Sequence, residues 1–135
     1  MKNIAVIAHD KKKAELAEFL KEREKWIEGV NLLATGKTAE FLETHGIKVK
    51  HMSMGRSGGY VEITEMIKNK EVDIVIFLVD PEVKQTYHKD IEGLIHVCNM
   101  QNIPWASNYA SAELLIIGLI RKEQADEARA NYLRT

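Results

Sequence analysis

The stretch LLATGKTAEF, residues 32–41, decides how the rest of the chain is read. Leu32, Leu33 and Ala34 form an apolar run ending in the small polar Thr35, as the end of a buried strand does. A helical pattern follows over 38–44 and is closed by Gly46, a natural residue for a helix C-terminus. Gly36-Lys37-Thr38 also spells the end of a P-loop, but that motif needs a second glycine five residues before its first, and Asn31 stands there. The spacing argues against a nucleoside triphosphatase. A strand, a Thr-Gly-x-Thr turn and a helix instead set hydroxyls and free backbone N–H groups at a helix N-terminus, where the macrodipole favours an anion.

Outward from this unit, short runs rich in Ile, Val and Leu predict strands at 4–8, 30–34, 47–52, 74–79 and 103–106. Helix patterns lie between them. Residues 12–27 carry Leu16, Phe19, Leu20, Arg23 and Ile27 along one stripe, and further helices are expected at 60–68, at 90–100 and from Ser111 onward. Five strands alternating with helices imply a doubly wound α/β fold: a three-layer sandwich with a central, mainly parallel five-stranded sheet, because right-handed crossovers put helices on both faces. Residues 1–135 are the usual size of one domain, with no internal repeat or linker.

In such a sheet, ligands bind outside the carboxyl ends of the strands. Those ends carry His9-Asp10, Thr35 to Thr38, residues 53–59, Asp80-Pro81 and Ser107-Asn108. Any one of these suits a helix cap. Two carboxylates, a histidine, a lysine and hydroxyls at one edge suit a small anionic ligand better than five separate caps.

Composition bounds the partners. With 45% hydrophobic and 29% charged residues and a net charge of -1, the chain has no field that would draw nucleic acid or an anionic membrane. The N-terminal apolar run stops at His9, too short for a signal peptide or a membrane span, so a cytoplasmic protein is expected. The single Cys98 excludes an internal disulfide and reads as a buried small hydrophobe. His45 and His51 have no partners in metal-like spacing and are expected to be exposed polar residues, His96 to be packing or surface, and Trp26 and Trp105 to be packing anchors. No metal site and no cofactor are called for.

IAVIAHDKKK (4–13), ATGKTAEF (34–41), GRSGGYVEI (55–63), DIVIFLVDP (73–81) and NIPWASNYASAELLI (102–116) resemble, in order and spacing, segments of methylglyoxal synthases and of the related regulatory domain of carbamoyl phosphate synthetases. The resemblance covers nearly the whole chain. It implies the doubly wound fold, a homo-oligomer that is usually a hexamer, and conversion of dihydroxyacetone phosphate to methylglyoxal and inorganic phosphate. It also implies that Lys13, Thr35, Thr38 and Gly55 bind phosphate, with Gly36, Lys37, Gly58 and Gly59 in the same loops, and that His9, Asp10, Asp80 and Asp90 do acid and base work. The charged amphipathic tail after Ile120 reads by itself as a solvated helix, whereas the resemblance implies that it reaches a neighbouring subunit, with Arg129 or Arg134 near its anion site.

Departures from the family pattern fall where the chemistry is done. After the glycine pair the synthases carry an aspartate that abstracts the proton; this chain has Tyr60. A phenol of ordinary pKa about 10 is ionised in about one molecule in a thousand at neutral pH. The synthases' Pro-His is Thr86-Tyr87 here, with His88 one residue late, Met54 replaces a serine, and Lys37 replaces a threonine. Two readings follow. One is a methylglyoxal synthase or close relative with its base rearranged around Asp10, Asp90 or Glu62; the other is a non-catalytic module that binds phosphate or a small phosphorylated metabolite.

Overall fold

The computed structural model describes residues 2–52, 56–82 and 88–134, with the side chains of 56–59 and 88–90 outside that description. Five strands, β1 (Lys2–Ala8), β2 (Val30–Ala34), β3 (Lys50–His51), β4 (Ile74–Leu78) and β5 (Trp105–Ala106), form one sheet of order β3-β2-β1-β4-β5. All four pairings are parallel. The helices are α1 (Lys13–Lys21), α2 (Glu24–Ile27), α3 (Gly36–Thr44), α4 (Arg56–Lys68), α5 (His88–Met100) and α6 (Tyr109–Arg134), and a 3-10 turn (Asp10–Lys12) precedes α1.

Strand alternation sends β1 side chains to opposite faces. Ile4, Val6 and Ala8 join Leu32, Ile76 and the buried sides of α1, α3 and α6 in one apolar cluster. Ala5 and Ile7 join Leu33, Val75, Phe77 and the buried sides of α4 and α5 in another. The sheet is thus covered on both faces, and the doubly wound α/β reading holds. Because β1 lies between β2 and β4, the chain winds away from it in both directions, and the carboxyl ends of β1 and β4 flank the point of reversal.

The expected boundaries shift for identifiable reasons. The strand expected at 47–52 shrinks to Lys50–His51, because the Ile47 N–H closes α3 on the Leu42 carbonyl at 3.0 Å. The strand expected at 103–106 starts only at Trp105: the Ile103 N–H is bonded to the Cys98 carbonyl, and Pro104 has no N–H to give a ladder. The helix expected over 12–27 divides at Arg23, whose guanidinium bonds the Phe19 carbonyl at 2.9 Å, lies 4.0 Å from the centre of the Phe19 ring and reaches Glu113 of α6 at 3.2 Å. Helices α4, α5 and α6 begin two to four residues earlier than their patterns suggest.

Three helices end alike. Gly46, Lys70 and Asn102 have φ of 78°, 59° and 58°, and each sits one residue before an N–H that bonds back five residues, to Leu42, Met66 and Cys98 respectively. Each is the left-handed residue of a Schellman close.

Candidate active site

His9 follows β1 in extended backbone, and its N–H donates to the Leu78 carbonyl at 3.2 Å, carrying the β1–β4 ladder one step past the strand. From the end of β4, the backbone N–H of Asp80 donates to His9 Nδ1 at 2.8 Å. A ring nitrogen that accepts an N–H must hold its lone pair, so the neutral imidazole carries its proton on Nε2. Burial holds the His9 pKa below its ordinary 6.5, against the pull of the Asp80 carboxylate and with the help of Lys13. Phe77 meets the imidazole edge to face, with ring centroids 5.2 Å apart.

The outer side of this pair is unpaired. His9 Nε2 is buried with no hydrogen-bond partner among the described residues, and so is Asp80 Oδ2. Asp80 is only 5% exposed, and its other oxygen, Oδ1, accepts the Glu82 N–H at 3.0 Å. A buried donor and a buried acceptor left unmatched on touching residues oppose folding unless something else matches them. They have the character of a substrate site.

Lys13, the first residue of α1, is buried; its Nζ donates to the Ala8 carbonyl at 3.2 Å and to Asp10 Oδ1 at 2.6 Å. The lysine bond holds the exposed Asp10 carboxyl below the usual carboxylate range, with Lys37 adding to the effect. Across β1, the carbonyl of Thr35 accepts the Ala39 N–H at 2.8 Å and opens α3, but the Thr35 side chain caps no N–H of that helix. Its first-turn N–H groups therefore face outward beside buried Thr35, Gly36 and Thr38, as anion-binding helix starts do. Lys37 is exposed.

Tyr60 takes a different place. Only 9% exposed, its ring belongs to the second apolar cluster and lies parallel to Phe77, with centroids 5.9 Å apart and planes 3° from coincidence. Gly58 and Gly59 precede it in α4, and half-buried Glu62 follows. His88 and Asp90 fall in the first turn of α5, but their side chains, like Met54 and Gly55, lie outside the described residues. The fold thus gathers His9, Asp10, Lys13, Thr35, Gly36, Thr38 and Asp80 at the sheet's carboxyl edge. Phe77 and the Asp80 backbone N–H were missed in the sequence: a Phe inside an apolar strand and a main-chain donor leave no signal there.

The remaining histidines and the tryptophans lie where they were expected. His45 and His51 are exposed, and each is hydrogen-bonded nearby: His51 to Glu43, and His45 Nδ1 at 2.9 Å from the Phe41 carbonyl. His96 is on the surface, and Trp26 and Trp105 are packing residues. Among the described residues no cluster of His, Cys, Asp and Glu is placed to hold a metal ion.

The MGS-like domain family matches residues 14–107. Methylglyoxal synthase of Geobacillus sp. (strain WCH70) is 42% identical over 132 residues, which span 97% of this chain and 92% of that protein. The chain belongs to the methylglyoxal synthase family. Methylglyoxal synthase of Thermoanaerobacterium thermosaccharolyticum is 43% identical over 118 residues, 87% of this chain and 88% of that one. The crystal structure of methylglyoxal synthase from Elizabethkingia anophelis NUHP1 superposes with a TM-score of 0.78 at 35% identity, covering 84% of this chain and 76% of that one. The MGS-like match itself starts after His9, Asp10 and Lys13, whereas the Geobacillus methylglyoxal synthase aligns over nearly the full chain.

Proposed function

We propose that this chain eliminates phosphate from dihydroxyacetone phosphate, yielding methylglyoxal and inorganic phosphate. Among the site's features, the tautomer of His9 carries this reading: Asp80 fixes the proton on Nε2, and a buried, unpartnered N–H is what a carbonyl oxygen turning into an enediolate requires. Loss of the C3 proton places an electron pair between C2 and C3 and charge on the C2 oxygen, where the His9 Nε2–H holds it. The O3 hydroxyl then gives up its proton and becomes the aldehyde, the pair moves to C1–C2, and the C1–O bond breaks. Hydrogen phosphate leaves with the O3 proton, and the remaining enolate takes a proton at C1 to become methylglyoxal.

For the phosphate, Lys13 and the N–H groups at the start of α3 offer charge-assisted donors, with Thr35, Gly36 and Thr38 shaping the turn, and the resemblance adds Gly55, Gly58 and Gly59 to the phosphate-binding set. Asp10 holds Lys13, and Asp90 and His88 complete the acid and base set in this reading. The steps are redox-neutral proton transfers and one elimination, so no cofactor is invoked. By the same family membership we assign a cytoplasmic homo-oligomer, as a hexamer; no helix among the described residues is long and apolar enough to cross a membrane.

The second reading, a phosphate-binding module without turnover, draws on one observation: the position expected to carry the base holds a tyrosine packed into the core. A methylglyoxal assay on the purified protein separates the two. Turnover of dihydroxyacetone phosphate is expected, together with calorimetric phosphate binding that weakens about tenfold or more in Lys13→Ala, where a charge-assisted contact is lost. Phosphate binding without methylglyoxal would establish the module, and equal phosphate affinity in wild type, Lys13→Ala and Thr38→Ala would remove the phosphate site from this edge.

A further inference from the structure

We infer that the proton-abstracting base of this chain is Asp80, acting through Oδ2, in place of a carboxylate at position 60. This rests on the lyase reading above.

Position 60 is spent on packing. The Tyr60 ring is stacked on Phe77 inside the second cluster, where a phenol is no substitute for a carboxylate. Asp10 is a poor alternative: its side chain is 88% exposed and one oxygen is tied to Lys13 at 2.6 Å. Glu62 is already engaged with a neighbour. Asp80 differs from both.

Two bonds fix Asp80, one from its own N–H to His9 and one from the Glu82 N–H to Oδ1, so the carboxylate is held at a strand end rather than on a mobile side chain. Its second oxygen is buried and has no donor among the described residues. His9 and Asp80 therefore present, on touching residues, one unmatched N–H and one unmatched carboxylate oxygen. Dihydroxyacetone phosphate presents the complement, a carbonyl oxygen and a C–H on adjacent atoms. In this arrangement Oδ2 takes the C3 proton as His9 takes the developing charge, and the proton held by Asp80 is the one returned to C1 of the enolate. Atoms and charge balance with no further reactant.

The test is hydrogen exchange at C3 of dihydroxyacetone phosphate in deuterium oxide, followed by NMR alongside phosphate release. A positioned base is worth about 10²–10⁴-fold, so Asp80→Asn should lower exchange by that factor while inorganic phosphate still binds within about threefold. Asp80→Glu keeps a carboxylate and should exchange faster than Asp80→Asn, per mole of folded protein. Equal rates in the Asn and Glu variants, or exchange in Asp80→Asn within about threefold of wild type, would overturn the assignment. So would loss of exchange in Asp90→Asn with retention in Asp80→Asn. A wild type that neither exchanges nor forms methylglyoxal would overturn the lyase reading together with this one, whereas turnover that survives in Asp80→Asn removes the base assignment alone.

Discussion

His9 shows how a single main-chain N–H sets the chemistry of a ring. The Asp80 N–H fixes which nitrogen is protonated, and burial disfavours a second proton, so the imidazole stays neutral below its ordinary pKa of 6.5. The sign of the stability effect follows. A folded-state pKa below the unfolded one means that the unfolded chain binds more protons in the window just under pH 6.5, so the contribution of His9 is complete above that pH and declines as pH falls toward the folded-state value. Nitrogen-15 NMR of the imidazole should show the Nε2–H tautomer and a titration midpoint below 6.5. A midpoint above 6.5 or an Nδ1–H tautomer would contradict the bonding described here. At this scale the sequence was partly legible. His9, Asp10, Lys13, Thr35, Thr38 and Asp80 stood out as polar residues following apolar runs, but Tyr60 could be read only as a lost base. That its ring stacks on Phe77, whose edge in turn meets His9, depends on how α4 lies on the sheet. A carboxylate restored at position 60 would have to enter an apolar cluster, which opposes its charged form.

The helix ends are the clearest lesson at the scale of elements. Gly46 could be read from the sequence because glycine takes the left-handed conformation without steric penalty. Lys70 could not. A lysine there carries the clash of its Cβ with the backbone, about 1 kcal/mol, and local hydrogen bonding and the packing of α4 outweigh it. Lys70 is exposed, and its N–H and the N–H of Glu71 both close α4, so the conformation is fixed from two sides. Lys70→Gly should therefore raise unfolding stability by up to about 1 kcal/mol, seen as a higher urea midpoint with an unchanged slope. A lower midpoint would show that the lysine side chain contributes more than its backbone strain removes. The strands at 47–52 and 103–106 are shorter than their apolar runs for a related reason: Ile47 and Ile103 look like strand residues, but each gives its N–H to the helix before it.

At the scale of the whole molecule the sheet was legible in its parts and largely in its layering. Apolar runs fixed the strands, and the alternation within β1 splits the core into two clusters that hold the helices on both faces. The place of α6 was not legible in full. Its 26 residues extend about 39 Å at the usual helical rise, yet its buried residues are only Ala112 and Ile116, and all of 124–134 is exposed, with Tyr132 and Leu133 at 78% and 73%. A helical segment of that length is marginal in water without a packing surface. Its persistence is then a property of the solution rather than of the chain: in a protein that associates with itself as proposed, the outer half of α6 is ordered only as far as copies are abundant enough to cover it. Amide exchange over 124–134 should slow as protein concentration rises, while exchange at 112–116 stays constant. Exchange at 124–134 that ignores concentration would place this helix outside any contact between copies.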